Sequence, residues 1–215
     1  MKGVTILGAD KKNIRKPQQK RSILMTEKII DTALQLFCEK GYYNTTTNEI
    51  AKNAGISVGS LYSYFPDKDK IFLEILKQYH CSFLSVFEKI KSETNRAIYK
   101  KNKREWLSML LNDLVNLHLS VKTLNRELHA LYYTKSEVKA IMDEQTEKIK
   151  AYTLEFLNEN LEEIRTKNLE ITVLLMVDFI SSIVDRVVFD VELSKEEKES
   201  IIDVGINAIF KVLYE

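Results

Sequence analysis

The sequence predicts an all-α fold of about nine helices, and three observations carry that prediction. Only six glycines and two prolines occur in 215 residues, so helix breaks are few and the helices between them long. Apolar residues recur at steps of three and four along most of the chain, the period of a helix with one buried face. No stretch shows the strict alternation of a half-buried strand. A chain of this length can bury the core of one or two domains.

Residues 1–21 are expected to form a flexible basic arm, with Lys11, Lys12, Arg15, Lys16, Lys20, Arg21 and Pro17. Two readings of it stand: a solvated tail, or an arm that reaches a DNA backbone or minor groove. A helix over 22–40 follows, with Ile30, Ala33, Leu34, Phe37 and Cys38 on one face and Gly41 as its stop. Thr46 with Glu49 three residues on is a capping box that starts a second helix. Ile50, Ala51 and Ala54 form its inward face, and Gly55 ends it. Ile56 packs back onto the turn, and Ser57 caps a third helix anchored by Leu61 and Phe65. Val58, Gly59, Ser60, Tyr62, Ser63 and Tyr64 are left to the other faces of that helix. Gly59 has no side chain, so a phosphate or base edge could approach its backbone, and the tyrosines offer long hydroxyl reach. Two short helices joined by a tight turn have the geometry of a helix-turn-helix laid in a DNA major groove. The plainer alternative is a three-helix packing unit without a DNA role.

The run Gly41-Tyr42-Tyr43-Asn44-Thr45-Thr46-Thr47, then Glu49-Ile50-Ala51-Lys52, Ala54-Gly55-Ile56-Ser57, Gly59-Ser60-Leu61-Tyr62, and Tyr64-Phe65 followed by Asp67-Lys68 resembles the N-terminal signature of TetR/AcrR-type bacterial transcriptional regulators. The resemblance covers about residues 22–72; beyond it only length and helical character agree. It implies that Thr47 touches a phosphate and that Ser57, Gly59, Ser60 and Tyr62 lie in or beside the major groove. Tyr64 and Lys68 would hold the DNA backbone. The chain departs from the pattern at Val58, where the family often has lysine, and at Tyr64, where it often has histidine. Both departures bear on which operator is read.

Pro66 and Asp67 open a long amphipathic helix whose apolar positions are Phe72, Leu76, Tyr79, Phe83, Val86 and Ile90. It links a DNA-binding domain over 22–66 to an effector-binding and dimerisation domain over 67–215. A polar gap is read over 91–103. Further helices are expected over 104–121, 124–133 and 137–161, then a polar break over 162–168. A helix over 169–189 and one capped by Ser194 complete the chain.

The helix over 169–189 is apolar on nearly all sides, so it must be covered on more than one face. With the last helix, where Gly205 and Ala208 permit close approach, it is expected to form a homodimer interface through Leu175, Phe179, Ile183, Val187, Ile202, Gly205 and Ile209. The alternative is burial of both helices within one copy. A two-fold dimer would set two recognition helices about 34 Å apart on a palindromic double-stranded DNA operator.

The middle helices are expected to enclose a small-molecule effector. Trp106, His118, Glu127, His129, Tyr132 and Tyr133 are the candidate lining, an apolar and aromatic set with a few polar groups. Each also has a plain reading as core or surface. His118 and His129 do not form a ligand pair, and the lone Cys38 and Cys81 have no Cys/His cluster beside them, so neither metal nor cofactor is expected. Both cysteines fit a reducing cytoplasm.

The most apolar stretch is interrupted by Asp178, Asp185 and Arg186, too often for a membrane span. Residues 1–70 hold 12 Lys+Arg against 7 Asp+Glu, a basic excess that fits phosphate binding by that end. No glycine-rich phosphate loop, GxSxG or HExxH is present, so no enzyme activity is expected. The resulting expectation is a dimeric repressor released when a small apolar or amphipathic ligand shifts the long fourth helix. The rival is a DNA-bound factor of the same fold, controlled by a protein partner and without a ligand.

Overall fold

The computed structural model describes residues 20–215. Its elements are α1 (Lys20–Lys40), α2 (Thr47–Asn53), α3 (Val58–Tyr64), α4 (Lys68–Ile90), α5 (Glu93–Lys101), α6 (Lys103–Ser120), α7 (Lys122–Thr134), α8 (Ser136–Glu159), a 3-10 turn (Leu161–Glu163), α9 (Leu169–Phe189) and α10 (Lys195–Tyr214). The described residues contain no strand. Nearly all of the basic arm lies outside the described residues; of its cations, Lys20 and Arg21 belong to the first turn of α1.

Local chemistry places the helix ends where the sequence puts them. Thr46 and Glu49 form a reciprocal capping box on α2. Gly55 takes a left-handed φ of +67°. Its N–H donates to Lys52 and that of Ile56 to Ala51, satisfying two carbonyls at the end of α2. Ser57, Asp67 and Ser194 each accept from a backbone N–H in the first turn of α3, α4 and α10. Such caps each stabilise a helix by about 1 kcal/mol.

The described residues form ten α-helices where nine were expected, because the polar gap at 91–103 contains α5. Ser92 caps α5, and Tyr99 is its one deeply buried side chain, 2 % exposed against Trp106, Phe156 and Tyr214. One buried ring in nine residues leaves no amphipathic stripe to read.

The side chains form two cores. The head core unites α1, α2, α3 and the first half of α4 with Val121, Leu124, Leu128 and Leu131 around α7 and Val138 of α8. The body core unites the second half of α4 with α5, α6, α8, α9 and α10. Tyr79 packs against both. No helix among the described residues is long and apolar enough to cross a membrane.

The expected dimer residues divide. Ile183, Val187, Ile202, Gly205 and Ile209 are buried by the chain's own helices, so they do not present a free surface. A Cβ at Gly205 would stand 2.5 Å from Ile183 Cδ1, so this glycine lets α10 close on α9 within one copy. Leu175 (56 % exposed) and Phe179 (37 %) point outward with Ile171 and Leu174. Val204 and Val212 of α10 are also exposed.

Candidate nucleic-acid interface

The head presents α3 on a rigid backing. Leu61 is fully buried and Phe65 nearly so, which fixes the helix from one side. Gly59, Tyr62 and Ser63 are exposed on the other, with Ser60, Val58 and Tyr64 half-buried at the edges. A Cβ built at Gly59 would meet nothing nearer than Ser57 Oγ at 4.0 Å. Packing among the described residues therefore gives no reason for a glycine there.

The hydroxyls on this face are arranged by the chain itself. Ser57 Oγ accepts from the Ser60 N–H at 3.1 Å, and Ser63 Oγ donates to the Ser60 carbonyl at 2.6 Å. The hydroxyls of Thr47 and Tyr62 share a hydrogen bond at 3.1 Å, so α2 steadies the tyrosine of α3. Lys40 and the backbone and hydroxyl of Thr46 donate to the Glu49 carboxylate and hold its pKa down at about 2. The α2 cap is thus ionised throughout the neutral range.

Lys68 is placed differently from the expectation of an open backbone contact. Its ammonium donates to the carbonyls of Tyr42 (2.6 Å) and Thr45 (2.8 Å) and lies 4.1 Å from the centre of the Tyr42 ring. Two of its three protons are therefore committed inside the head, and burial pulls its pKa below the usual lysine value.

Sequence reading missed Tyr42, which is the hub of the head. Its N–H donates to the Glu127 carboxylate and its hydroxyl to Asp69. Burial and the hydrogen bond to Asp69 push its phenol well above the usual value. Asp69 also accepts from Lys135 at 2.6 Å. Glu127 is thereby corrected: it is a latch from α7 onto the head, with its carboxylate against Gly41, and not a pocket charge. The partners are 27 and 85 residues away in sequence, beyond any local spacing rule.

The remaining pocket candidates do not converge. Trp106 stacks on Phe156, centroids 4.8 Å apart, and lines an apolar void of about 60 Å³ between α4, α6, α8, α9 and α10. His118 lines a second void of about 60 Å³, separated from the first by Phe87, Leu110, Thr153 and Ile180. Burial lowers the His118 pKa, and Nδ1 donates to the Leu114 carbonyl at 2.8 Å. His129 instead lines an open polar cleft of about 710 Å³ with Arg126, Asp178, Asp185 and Arg186. Tyr132 donates to Asp143 at the surface, and Tyr133 is 82 % exposed. Both fall outside any enclosure because α7 turns its leucines inward and this edge outward.

Known proteins with this geometry confirm the family. The profile of bacterial regulatory proteins of the tetR family matches residues 29–75, and that of the tetracyclin repressor-like C-terminal domain matches residues 84–214. The HTH-type transcriptional regulator YuxN of Bacillus subtilis is 32 % identical over 144 residues, which are 66 % of this chain and 46 % of YuxN. The chain thus spans just under half of that relative. The HTH-type transcriptional regulator QacR of Staphylococcus aureus is 31 % identical over 64 % of this chain and 71 % of its own. The crystal structure of a TetR-family regulator from Mesorhizobium loti superposes with a TM-score of 0.71 at 22 % identity, over 92 % of this chain and all of that one. That last likeness bears on fold alone. The members of this family are helix-turn-helix transcriptional regulators and not enzymes. With both the DNA-binding head and the C-terminal body matched, the chain belongs to the TetR family of bacterial regulatory proteins.

Proposed function

We propose that the protein is a cytoplasmic repressor that binds a palindromic operator as a homodimer and is released by a small apolar or amphipathic ligand. The observation that carries the reading is the exposed face of α3, hydroxyl-bearing and open at Gly59, with nothing among the described residues packed on it. Ser57, Gly59, Ser60 and Tyr62 face the groove, with Thr47 and Tyr64 beside the phosphates and Lys68 bracing the loop that carries them. The outward apolar residues Leu175 and Phe179 on α9, flanked by Ile171, Leu174 and Val204, are the surface a second copy would cover.

The test is selection of duplexes from a random library, followed by titration of the enriched palindrome and of its isolated half. Strong preference for the whole palindrome is expected; equal affinity for the half rejects the dimeric reading. The double variant Leu175→Glu, Phe179→Glu is expected to run as a monomer in light scattering and to bind the palindrome no better than the half. Gly59→Ala is expected to leave folding stability unchanged or raise it by up to about 1 kcal/mol, as alanine replaces glycine in a helix. The same change should weaken operator binding, because the added methyl occupies the approach to the DNA. Thermal unfolding and anisotropy together check it, and unchanged affinity rejects the close approach at Gly59.

A second reading is favoured by one observation. The voids at Trp106 and His118 hold about 60 Å³ each, against roughly 300–1,000 Å³ for an ordinary ligand site. In that reading the packed body is an interaction platform and a protein partner controls DNA binding. A screen for compounds that release the operator distinguishes them: a releasing compound whose effect Leu110→Trp, at the wall between the voids, abolishes supports the ligand, and failure of every compound to release supports the partner.

A further inference from the structure

We infer that this protein reads its operator through thymine methyl groups and DNA deformability, and not through purine-specific hydrogen bonds. The inference rests on the operator-binding reading above and concerns what distinguishes one base pair from another.

The helix facing the groove is Val-Gly-Ser-Leu-Tyr-Ser-Tyr. It carries no arginine, lysine, asparagine or glutamine. Those four supply the bidentate pairs that identify guanine and adenine by their major-groove edges. A hydroxyl cannot replace them, because it donates or accepts according to how it rotates and so suits any base edge. Most hydroxyls here are also engaged. Ser57 Oγ accepts from the Ser60 N–H, Ser63 Oγ donates to the Ser60 carbonyl, and the Tyr62 hydroxyl is paired with Thr47. Ser60 and Tyr64 are the side-chain hydroxyls of α3 left with no partner among the described residues, and Tyr64 stands at the helix end, beside the phosphates.

What the helix does offer is flush and largely apolar. Val58 is half-buried at its first turn, Tyr64 half-buried at its last, and Gly59 lies open between them and Tyr62. Methyl and ring-edge surface of this kind matches the thymine C5 methyl, the one apolar group on the major-groove edges. A backbone that approaches this closely also requires the duplex to present the right groove width, so sequences that deform easily are preferred without being touched. The amides and cations nearby belong to α2: Asn48 and Lys52 are exposed, and the Asn53 amide donates to the Glu49 carbonyl. The first helix of a helix-turn-helix crosses the phosphate backbone, so these residues position the head without reading bases.

The experiment uses the full chain and an operator enriched from a random duplex library. Each thymine is replaced in turn by deoxyuridine, which removes only the methyl, and each purine by its 7-deaza analogue, which removes only the N7 acceptor. Affinities are read by fluorescence anisotropy at one salt concentration. A bidentate purine contact is worth roughly five- to 150-fold. Deoxyuridine is expected to weaken binding by about fivefold or more at one or more positions, and every 7-deazapurine by less than about twofold, well short of such a contact. A 7-deazapurine costing more than about fivefold, in the range of a bidentate contact, overturns the inference and leaves operator binding standing. Insensitivity to every deoxyuridine overturns it as well. If selection enriches no sequence, the operator reading falls and takes this inference with it.

Discussion

Tyr62→Ala is expected to leave a folded, helical protein whose operator affinity has collapsed. The side chain is exposed and its one hydrogen bond is to another surface hydroxyl, so its removal opens no core cavity. On the DNA its loss is felt directly. Its ring is apolar surface at the groove, and burying a large apolar side chain is worth about 1.5–3 kcal/mol. A two-fold dimer loses two such contacts, about 3–6 kcal/mol in all, or between two and five orders of magnitude in affinity. Circular dichroism and anisotropy on the selected palindrome check both halves of the expectation. Wild-type affinity would remove Tyr62 from the interface. Tyr62→Phe separates the hydroxyl from the ring: it is expected to recover contact area but not the hydrogen bond.

The largest effect on stability is expected at Gly41→Ala. Gly41 has a φ of +87°, in the left-handed region, which costs an alanine about 1–2 kcal/mol. The new Cβ would also meet the Glu127 carboxylate, which already lies against the glycine. Moving that carboxylate leaves the Tyr42 N–H without its partner, at about 1–3 kcal/mol for a buried donor. Together the loss is about 2–5 kcal/mol, much of the net stability of an ordinary domain. A double-mutant cycle isolates the contact. With Glu127→Ala already made, Gly41→Ala should cost only the backbone strain, about 1–2 kcal/mol. Equal cost in both backgrounds, by urea unfolding, would show that the latch carries no energy.

The head was legible because its determinants are local. Thr46 with Glu49, Gly55, Ser57 and Asp67 each act within three or four residues, and every one of those stops and starts stands in the structure. The body resisted because its determinants are not. Trp106 meets Phe156 fifty residues on, and Tyr99 meets Tyr214 at a separation of 115. Glu127 read as a pocket charge because its true partner, the Tyr42 N–H, belongs to another domain of the sequence pattern. The two faces of α9 could have been told apart. Asp178, Ser182 and Arg186 recur at steps of four and mark the outward stripe, and they sit beside Leu175 and Phe179. Apolar content alone, spread all round the helix, concealed that stripe. Lys68 shows the converse limit, since a lysine's type does not reveal whether its ammonium faces phosphate or a carbonyl of its own chain.

The division of the molecule into two cores gives α4 a mechanical character. The helix runs unbroken from Lys68 to Ile90, and Tyr79, the residue shared by both cores, stands eleven residues from each end. At 1.5 Å per residue each arm is about 16 Å long. A beam pivoted at its midpoint would neither amplify nor attenuate: what Phe87 and Ile90 yielded in the body, Lys68 would return at the head, reversed in direction. A displacement of about 1–2 Å, the scale of helix shifts in switching proteins, would therefore arrive undiminished at the Tyr42–Thr45 loop that Lys68 holds. In a two-fold pair the motion is doubled to about 2–4 Å, comparable with the 3.4 Å rise between neighbouring base pairs. A stroke that small is enough to put two readers out of step with a palindrome, without either head unfolding or turning away.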